Sequence, residues 1–435
     1  MQNIKIIIGA SYGDEGKGLA TDFFGAQAQR RHSTINVLTN GGPQRGHTVE
    51  LADGRRHIFK HFGAASFRGA DTYYARQFMV NPMEFVREYE ELLEICGETA
   101  AFADPLCRFS TPWDMLVNQM LKEKQGVHNS CGFGIWETVL RYRRGYGITL
   151  GAFAAMSRDD RIAWLRWLRD GYFAGRLREL GLAHSDGGHG LFCPTGASGL
   201  PAGAFGHSKG APGLPTAVPG LEDLFFSDGI LFHFDEDCET MLSLCPMRNE
   251  DHLRRYQTVL FENAQGLLLD GNAAEEQEFT TPSTTGVGKV LQTVESVFRG
   301  ADVEVCYVTR SYLTRHGDGS MKACADGEIS ADQFGAALPG LATDMTNVQN
   351  RFQGNLRYGM MEVDLLAGRI GADYARCLGA AGNHYHPSIM ITHLNEYAGI
   401  DTDRLAGQFG TLYLSDGRTC SDTFKVVGGT GTPLR

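Results

Sequence analysis

The chain has 435 residues, 42% of them apolar, and a formal net charge of −11. A balance of that sign excludes a general nucleic-acid binder, which needs a basic face to displace counterions, but permits small anions bound by local basic loops. No run of about 18 apolar residues occurs, so no membrane span is expected, and the apolar content suffices for a sizeable core.

The N-terminus, MQNIKIIIGASYG, carries an apolar run of about five residues that leads straight into glycines, which reads as a buried strand and not a signal peptide. Ten cysteines form no Cys-x-x-Cys pair and match no zinc spacing, as expected of reduced thiols in a cytoplasmic protein. In chain order, the pattern predicts a strand at Ile4–Ile8, a glycine-rich turn, a helix from Gly16 through Phe24, and a second strand at Ile35–Leu38. Helical periodicity marks Pro82–Cys96 and Trp113–Lys124. It also marks a long amphipathic helix, Arg161–Leu182, with Trp164, Leu165, Trp167 and Leu168 facing inward.

Residues 183–220 are dense in Gly, Pro, Ala and Ser and read as a loop insertion within a single domain spanning 1–435. His184, His189 and His207 within it match no metal-ligand spacing. Regular structure is expected to resume near Leu231, with a helix at Leu253–Gln257 and strands at Thr258–Phe261, Val303–Val308 and Ser388–Leu394. Short strands alternating with helices define the fold class as α/β: a large, mostly parallel central sheet with P-loop-like nucleotide-binding loops and helical and loop insertions.

Three loops carry chemistry. GASYGDEGKG, residues 9–18, follows a strand and opens a helix, where backbone N–H groups bind phosphate, and Lys17 adds a point charge. Gly18 follows that lysine, so the loop is not a Walker A sequence. Asp14 and Glu15 stand where an anion would bind, so at least one carboxylate must face a metal ion or enter the chemistry. The competing reading is a plain glycine turn with a solvated acidic pair. NGGPQRGHT, residues 40–48, repeats the strand-then-glycine design and ends in His47 and Thr48, which suggests that both turns meet over one ligand. FENAQGLLLD, residues 261–270, and the Thr-rich 279–290 stretch add amides and hydroxyls suited to a phosphate or a purine edge, or to ordinary helix caps.

In this order the segments resemble the adenylosuccinate synthetase family. Gly13-Asp14-Glu15-Gly16-Lys17-Gly18 matches its GDEGKG loop, and Gly41-Gly42 with Gly46-His47-Thr48 its GGxxxGHT loop. Glu262-Asn263-Ala264-Gln265-Gly266 with Thr280–Thr285, and Thr314-Arg315-His316-Gly317-Asp318-Gly319, match its two later motifs.

The resemblance implies a ligase that joins L-aspartate to C6 of a 6-oxopurine nucleotide, IMP in the leading reading, driven by a nucleoside triphosphate and Mg2+. It implies a catalytic set of Asp14, Lys17, His47 and Gln265. Asp14 would take the purine N1 proton and, with the Gly46 carbonyl, hold the metal. The triphosphate would lie against Gly13, Glu15, Gly16, Lys17, Gly18, Gly46, His47 and Thr48. Its base would meet His393, Asn395 and Gly431. The monophosphate would meet Asp14, Gln44, Ser130, Cys131, Gln265 and Thr280, with Arg143 reaching across a homodimer interface.

Arg351 and Arg357 are the expected forks for the amino donor. Gln44, Cys131 and Asn395 depart from the family pattern. Asn395 stands where an acid reads guanine, which points to ATP or dATP. Two rivals remain: a ligase of the same mechanism that uses (d)GMP, as in a viral branch of the family, and a non-catalytic nucleotide sensor. Retention of Asp14, Lys17, His47 and Gln265 argues against the sensor.

Overall fold

The computed structural model describes residues 2–28, 30–125, 131–182, 221–271, 280–317, 319, 321, 324–329 and 356–427. The 183–220 insertion and three expected site residues, Ser130, Arg351 and Gly431, lie outside them.

A nine-stranded sheet forms the centre. Its spatial order is Thr423–Val427, Thr411–Ser415, His384–Thr392, Asp302–Arg310, Asn3–Gly9, Thr258–Gly266, Thr34–Leu38, Asp71–Tyr74 and Ala101–Ala103. Every neighbouring pair is parallel except Thr411–Ser415 with Thr423–Val427, which is antiparallel. The middle strands are apolar on both faces, as in the NIKIIIG run, because helices and loops cover both sides. Ile6, Val305, Phe261 and Ile389 join one core, and Ile7, Leu260, Cys306 and Met390 join Ala20 and Phe24 in another.

This topology places the chemistry. The five central strands run parallel, so the loops after Gly9, Leu38, Arg310 and Thr392 and the end of the Thr258–Gly266 strand emerge along one edge. In α/β sheets, ligands bind at that edge. One irregularity sharpens it: the pairing register jumps from Ile7↔Glu262 to Gly9↔Gly266. The extra length bulges out and carries Gln265, at φ 66°, to the sheet edge.

The helix Pro82–Cys96 has the expected bounds, with Asn81 capping its N-terminus by accepting from the Glu84 N–H. The expected 161–182 helix is instead an α-helix over Arg158–Trp167, a π-helical turn over Leu168–Phe173, and an α-helix over Ala174–Glu179. Trp167 does not face inward; it is 53% exposed. A helix turns about 100° per residue, so Trp167 stands well off the stripe that carries Leu165 and Leu168. It stacks on Tyr146, with ring centroids 5.7 Å apart.

Beyond the insertion, helix begins earlier than expected, at Leu221–Phe225, and continues over Asp228–Leu244. The expected helix at Leu253–Gln257 is a 3-10 segment over Glu250–Arg255. The strand expected at Ser388–Leu394 is His384–Thr392, so His393 and Leu394 belong to the loop beyond it.

Candidate active site

The first and second loops interlock because glycine leaves room. A Cβ on Gly18 would lie 2.6 Å from the Thr48 carbonyl oxygen, so only glycine lets the start of the Lys17–Gly25 helix touch the His47–Glu50 strand. A Cβ on Gly266 would lie 2.1 Å from the Ser11 carbonyl oxygen, which fixes the third segment against the first. Asn40 clamps the second loop to the third: its Nδ2 donates to the Ala264 carbonyl at 3.1 Å, and its Oδ1 accepts from the Ala264 N–H at 2.7 Å. The loops thus surround one cavity of about 580 Å3, a volume suited to nucleotide-sized ligands.

The two carboxylates of the first loop separate in role. Glu15 is 1% exposed and turns inward, accepting from the Ser11 and Gly13 N–H groups at 3.0 and 2.8 Å and pairing with Lys17 Nζ at 2.6 Å. It therefore braces the loop, and it also stands among the residues that line the cavity. Asp14 lines the cavity in a left-handed conformation, φ 59°, with its Oδ2 3.2 Å from His316 Nε2. Burial raises its pKa, but the His316 bond, with Arg310 and Lys17, outweighs burial and holds it at about 2. Arg310 Nε donates to the Asp14 carbonyl at 2.5 Å.

His47 sits on the hairpin strand His47–Glu50, with Nδ1 against the Glu262 carboxylate. Arg45 donates to the same carboxylate oxygen and lies 2.8 Å from the His47 ring nitrogen. Burial pulls the imidazole down to about 4, Arg45 adds to the shift, and Glu262 opposes it. Burial raises the pKa of Glu262 itself, but Arg45 and His47 bring it down to about 2, so the carboxylate stays charged.

Gln44, Cys131, Gln265 and Thr280 all line the cavity. The Gln44 amide is buried, and neither its oxygen nor its nitrogen finds a partner among the described residues. His393, at φ 61°, lies beside Asn395 and Glu396 on the same wall. Burial, reinforced by Arg310, holds its ring well below the usual histidine range. Arg143 is exposed at the end of the helix Ile135–Arg143 and does not line the cavity of its own chain. Arg357 stands in a separate three-stranded sheet, opposite Arg315, and donates to the Gly319 carbonyl.

Reasoning from sequence left several groups without a role. Glu262, Arg315 and His316 stand in the family motifs without an assigned role, and Arg45, Arg310, Glu396 and Arg418 carry none either. All but Glu262 line the cavity. The available signal was position, because Arg45 adjoins the GHT triplet and Arg310 ends a strand of the central sheet.

A parallel sheet whose strand ends carry a glycine-rich loop and an ionised aspartate defines a nucleotide-binding α/β enzyme. The sequence profile described as Adenylosuccinate synthetase matches residues 6–154 and 232–367, more than half of the chain, and the protein belongs to that family. Among curated relatives, the adenylosuccinate synthetase of Borrelia duttonii is 26% identical over 125 residues, which is 29% of this chain and 28% of that one. That of Acaryochloris marina is 23% identical over 342 residues, 78% of this chain and 65% of that one. This chain therefore spans less than a third of the Borrelia relative and just under two thirds of the other.

Among solved structures, a fully ligated adenylosuccinate synthetase from Plasmodium falciparum has a TM-score of 0.61 at 15% identity, covering 95% of this chain and 80% of that one. The succinoaminodeoxyadenylate synthetase of cyanophage S-2L, solved with dGMP and with dATP as an energy donor, has a TM-score of 0.59 at 13% identity, covering 98% and 95%. These two share the fold. Among the described residues, no helix is long and apolar enough to cross a membrane.

Proposed function

We propose that the chain is a triphosphate-driven carbon–nitrogen ligase that joins L-aspartate to C6 of a 6-oxopurine nucleoside monophosphate, with IMP as the leading substrate. The observation that carries this reading is the meeting of Asp14, Lys17, His47 and Gln265 at one cavity on the carboxyl edge of the sheet.

Asp14 accepts the N1 proton, and the resulting O6 oxyanion attacks the γ-phosphorus while the bond to the β-phosphate oxygen breaks. The aspartate amine then adds at C6, and phosphate leaves with the former O6. The products are a succinyl-amino purine nucleotide, a nucleoside diphosphate and phosphate. A carboxylate held at about 2 is a weak base; phosphates entering the cavity offset His316, Arg310 and Lys17 and raise it toward the working range. Glu262 anchors the Nδ1 edge of His47, which orients the ring toward the transferring phosphoryl group. Lys17 and the loop N–H groups hold the phosphates, and Gln265 holds the purine.

The donor set fits Mg2+, because the Asp14 carboxylate and the Gly46 carbonyl offer oxygen ligands on one cavity and substrate phosphates complete such shells. When bound, the ion offsets charge on the β- and γ-phosphates. Gln44, Cys131 and Thr280 take the monophosphate end, and Arg143, exposed here, completes it from a second copy in a homodimer. Arg357, whose guanidinium donates to the Gly319 carbonyl, acts with Arg351 as the fork for the amino donor's carboxylates.

Asn395 and the neutral ring of His393 favour adenine over guanine. Adenine lacks the N1–H and N2 donors that an acid would accept, so ATP or dATP is the expected energy donor. The cyanophage enzyme gives a second reading, a ligase for dGMP, because it was solved with both dGMP and dATP. Incubating the chain with aspartate, Mg2+, ATP or GTP, and each of IMP, dIMP, GMP and dGMP, with products identified by mass, separates these. Aspartate adducts of IMP support the first reading, adducts of dGMP alone the second, and nucleotide binding without any adduct the sensor.

A further inference from the structure

Tyr312 does not line the cavity, yet it joins two of its walls. Its hydroxyl donates to the Glu396 carboxylate, on the turn that follows the His384–Thr392 strand. The same hydroxyl accepts from Arg310 Nη1 at 2.8 Å. Arg310 Nε in turn donates to the carbonyl of Asp14, a non-glycine residue held at positive φ. Such a conformation is strained for a residue with a side chain and persists only where its surroundings enforce it. The neighbouring carbonyl is tied to the same strand end, because Thr392 Oγ1 donates to the Glu15 carbonyl at 2.7 Å. Ser311, between Arg310 and Tyr312, closes the brace by donating its N–H to the Thr392 carbonyl at 3.0 Å and its hydroxyl to the His393 carbonyl at 3.2 Å.

Of these two consecutive carbonyls of the phosphate loop, that of Glu15 is held by the strand end that leads to His393, Asn395 and Glu396, and that of Asp14 by Arg310, which Tyr312 joins to Glu396. Tyr312 is 1% exposed, so its hydroxyl has no water to replace these bonds.

We propose that Tyr312 is a positioning residue that couples the triphosphate's base to the Asp14 backbone, so that seating the base on the 393–396 turn sets the geometry of phosphoryl transfer. The inference rests on the reading above, in which the base meets that turn and Asp14 meets the reacting purine. Base recognition then affects kcat and not only binding, because a misplacement of about 1 Å in a reacting group can cost up to about 100-fold in rate.

The test uses the full chain with aspartate, Mg2+, ATP and whichever purine monophosphate the wild type converts. Tyr312→Phe keeps the ring and removes the hydroxyl. Glu396→Ala breaks the chain at its far end, on a partly exposed turn, and reads the same coupling if the first variant folds poorly. The expected result for each is a fall in kcat of about tenfold or more, with KM for both nucleotides within about twofold. The double variant should be no slower than the worse single one, as for members of one chain of contacts. A rise in KM at unchanged kcat, no change, or additive losses overturns the inference while leaving the proposed reaction intact. A wild type that converts no purine monophosphate removes the proposed reaction and this inference together.

Discussion

Asp14 and its neighbour Glu15 are chemically near-identical, and the backbone separates them. Both border the cavity, but Glu15 is engaged by two loop N–H groups and Lys17, whereas the Asp14 carboxylate meets His316. Asp14→Asn keeps the shape but cannot accept the N1 proton, so kcat should fall by about 10²–10⁴-fold in a chain that stays folded. Near-normal turnover would remove Asp14 from the proposed role. At the base site, Asn395→Asp restores a charged acceptor for guanine. The ratio of kcat/KM for ATP to that for GTP should shift toward GTP by about tenfold, since an unpaired buried donor costs roughly 1–3 kcal/mol; an unmoved ratio assigns base reading to another group. The glycines and these acids were legible in the sequence because each motif letter is a local chemical necessity. The Arg45–Glu262–His47 cluster was not, because Glu262 lies 215 positions from His47 and meets it only in the fold, where Glu262 pairs with Leu38 at the strand end that leads into the second loop.

Among the elements, the five middle strands of the sheet were legible because short apolar runs have few other readings, whereas the outer strands Asp71–Tyr74, Ala101–Ala103, Thr411–Ser415 and Thr423–Val427, shorter or mixed in polarity, were not. The 161–182 segment was misjudged at Trp167 because Trp164, Leu165, Trp167 and Leu168 spread over about 160° of the helix, wider than the buried stripe, and hydropathy alone does not say which edge leaves it. The expected strand Thr258–Phe261 stopped short of Gly266 because the polar ENAQ stretch looks like a turn, although the bulge keeps it paired. The contact between the Lys17–Gly25 helix and the His47–Glu50 strand gives a test of the loop architecture. Gly18→Ala places a methyl group 2.6 Å from the Thr48 carbonyl oxygen. The loops must part, with a stability loss of about 1–3 kcal/mol and a clear rise in KM for the triphosphate. Calorimetry and triphosphate kinetics check both, and unchanged values would show that the two loops do not need their close approach.

On the scale of the whole molecule, buried titratable groups set the response to acid. His61 accepts the Asn81 N–H at Nε2 at 2.8 Å, and burial lowers it to about 3; His47 is lowered to about 4. In the unfolded chain both take up protons near pH 6.5, so the folded state binds fewer, and its stability falls as pH drops from about 6.5 toward 4. Glu262 and Asp14, held at about 2, contribute stability that is present above about pH 4 and lost as pH falls through about 2. A melting temperature that declines steadily below pH 6.5 is expected, and His61→Gln, which still offers an acceptor to Asn81, should flatten the upper part of that decline; an identical slope in the variant would assign it elsewhere. The central claim, that one cavity activates C6 by phosphorylating O6, is tested most directly by isotope transfer. The chain is incubated with aspartate, Mg2+, ATP and a purine monophosphate labelled with ¹⁸O at O6, and the released phosphate is examined by mass. The account predicts one ¹⁸O in each phosphate released, in step with formation of the aspartate adduct. Adduct formation with unlabelled phosphate would contradict it.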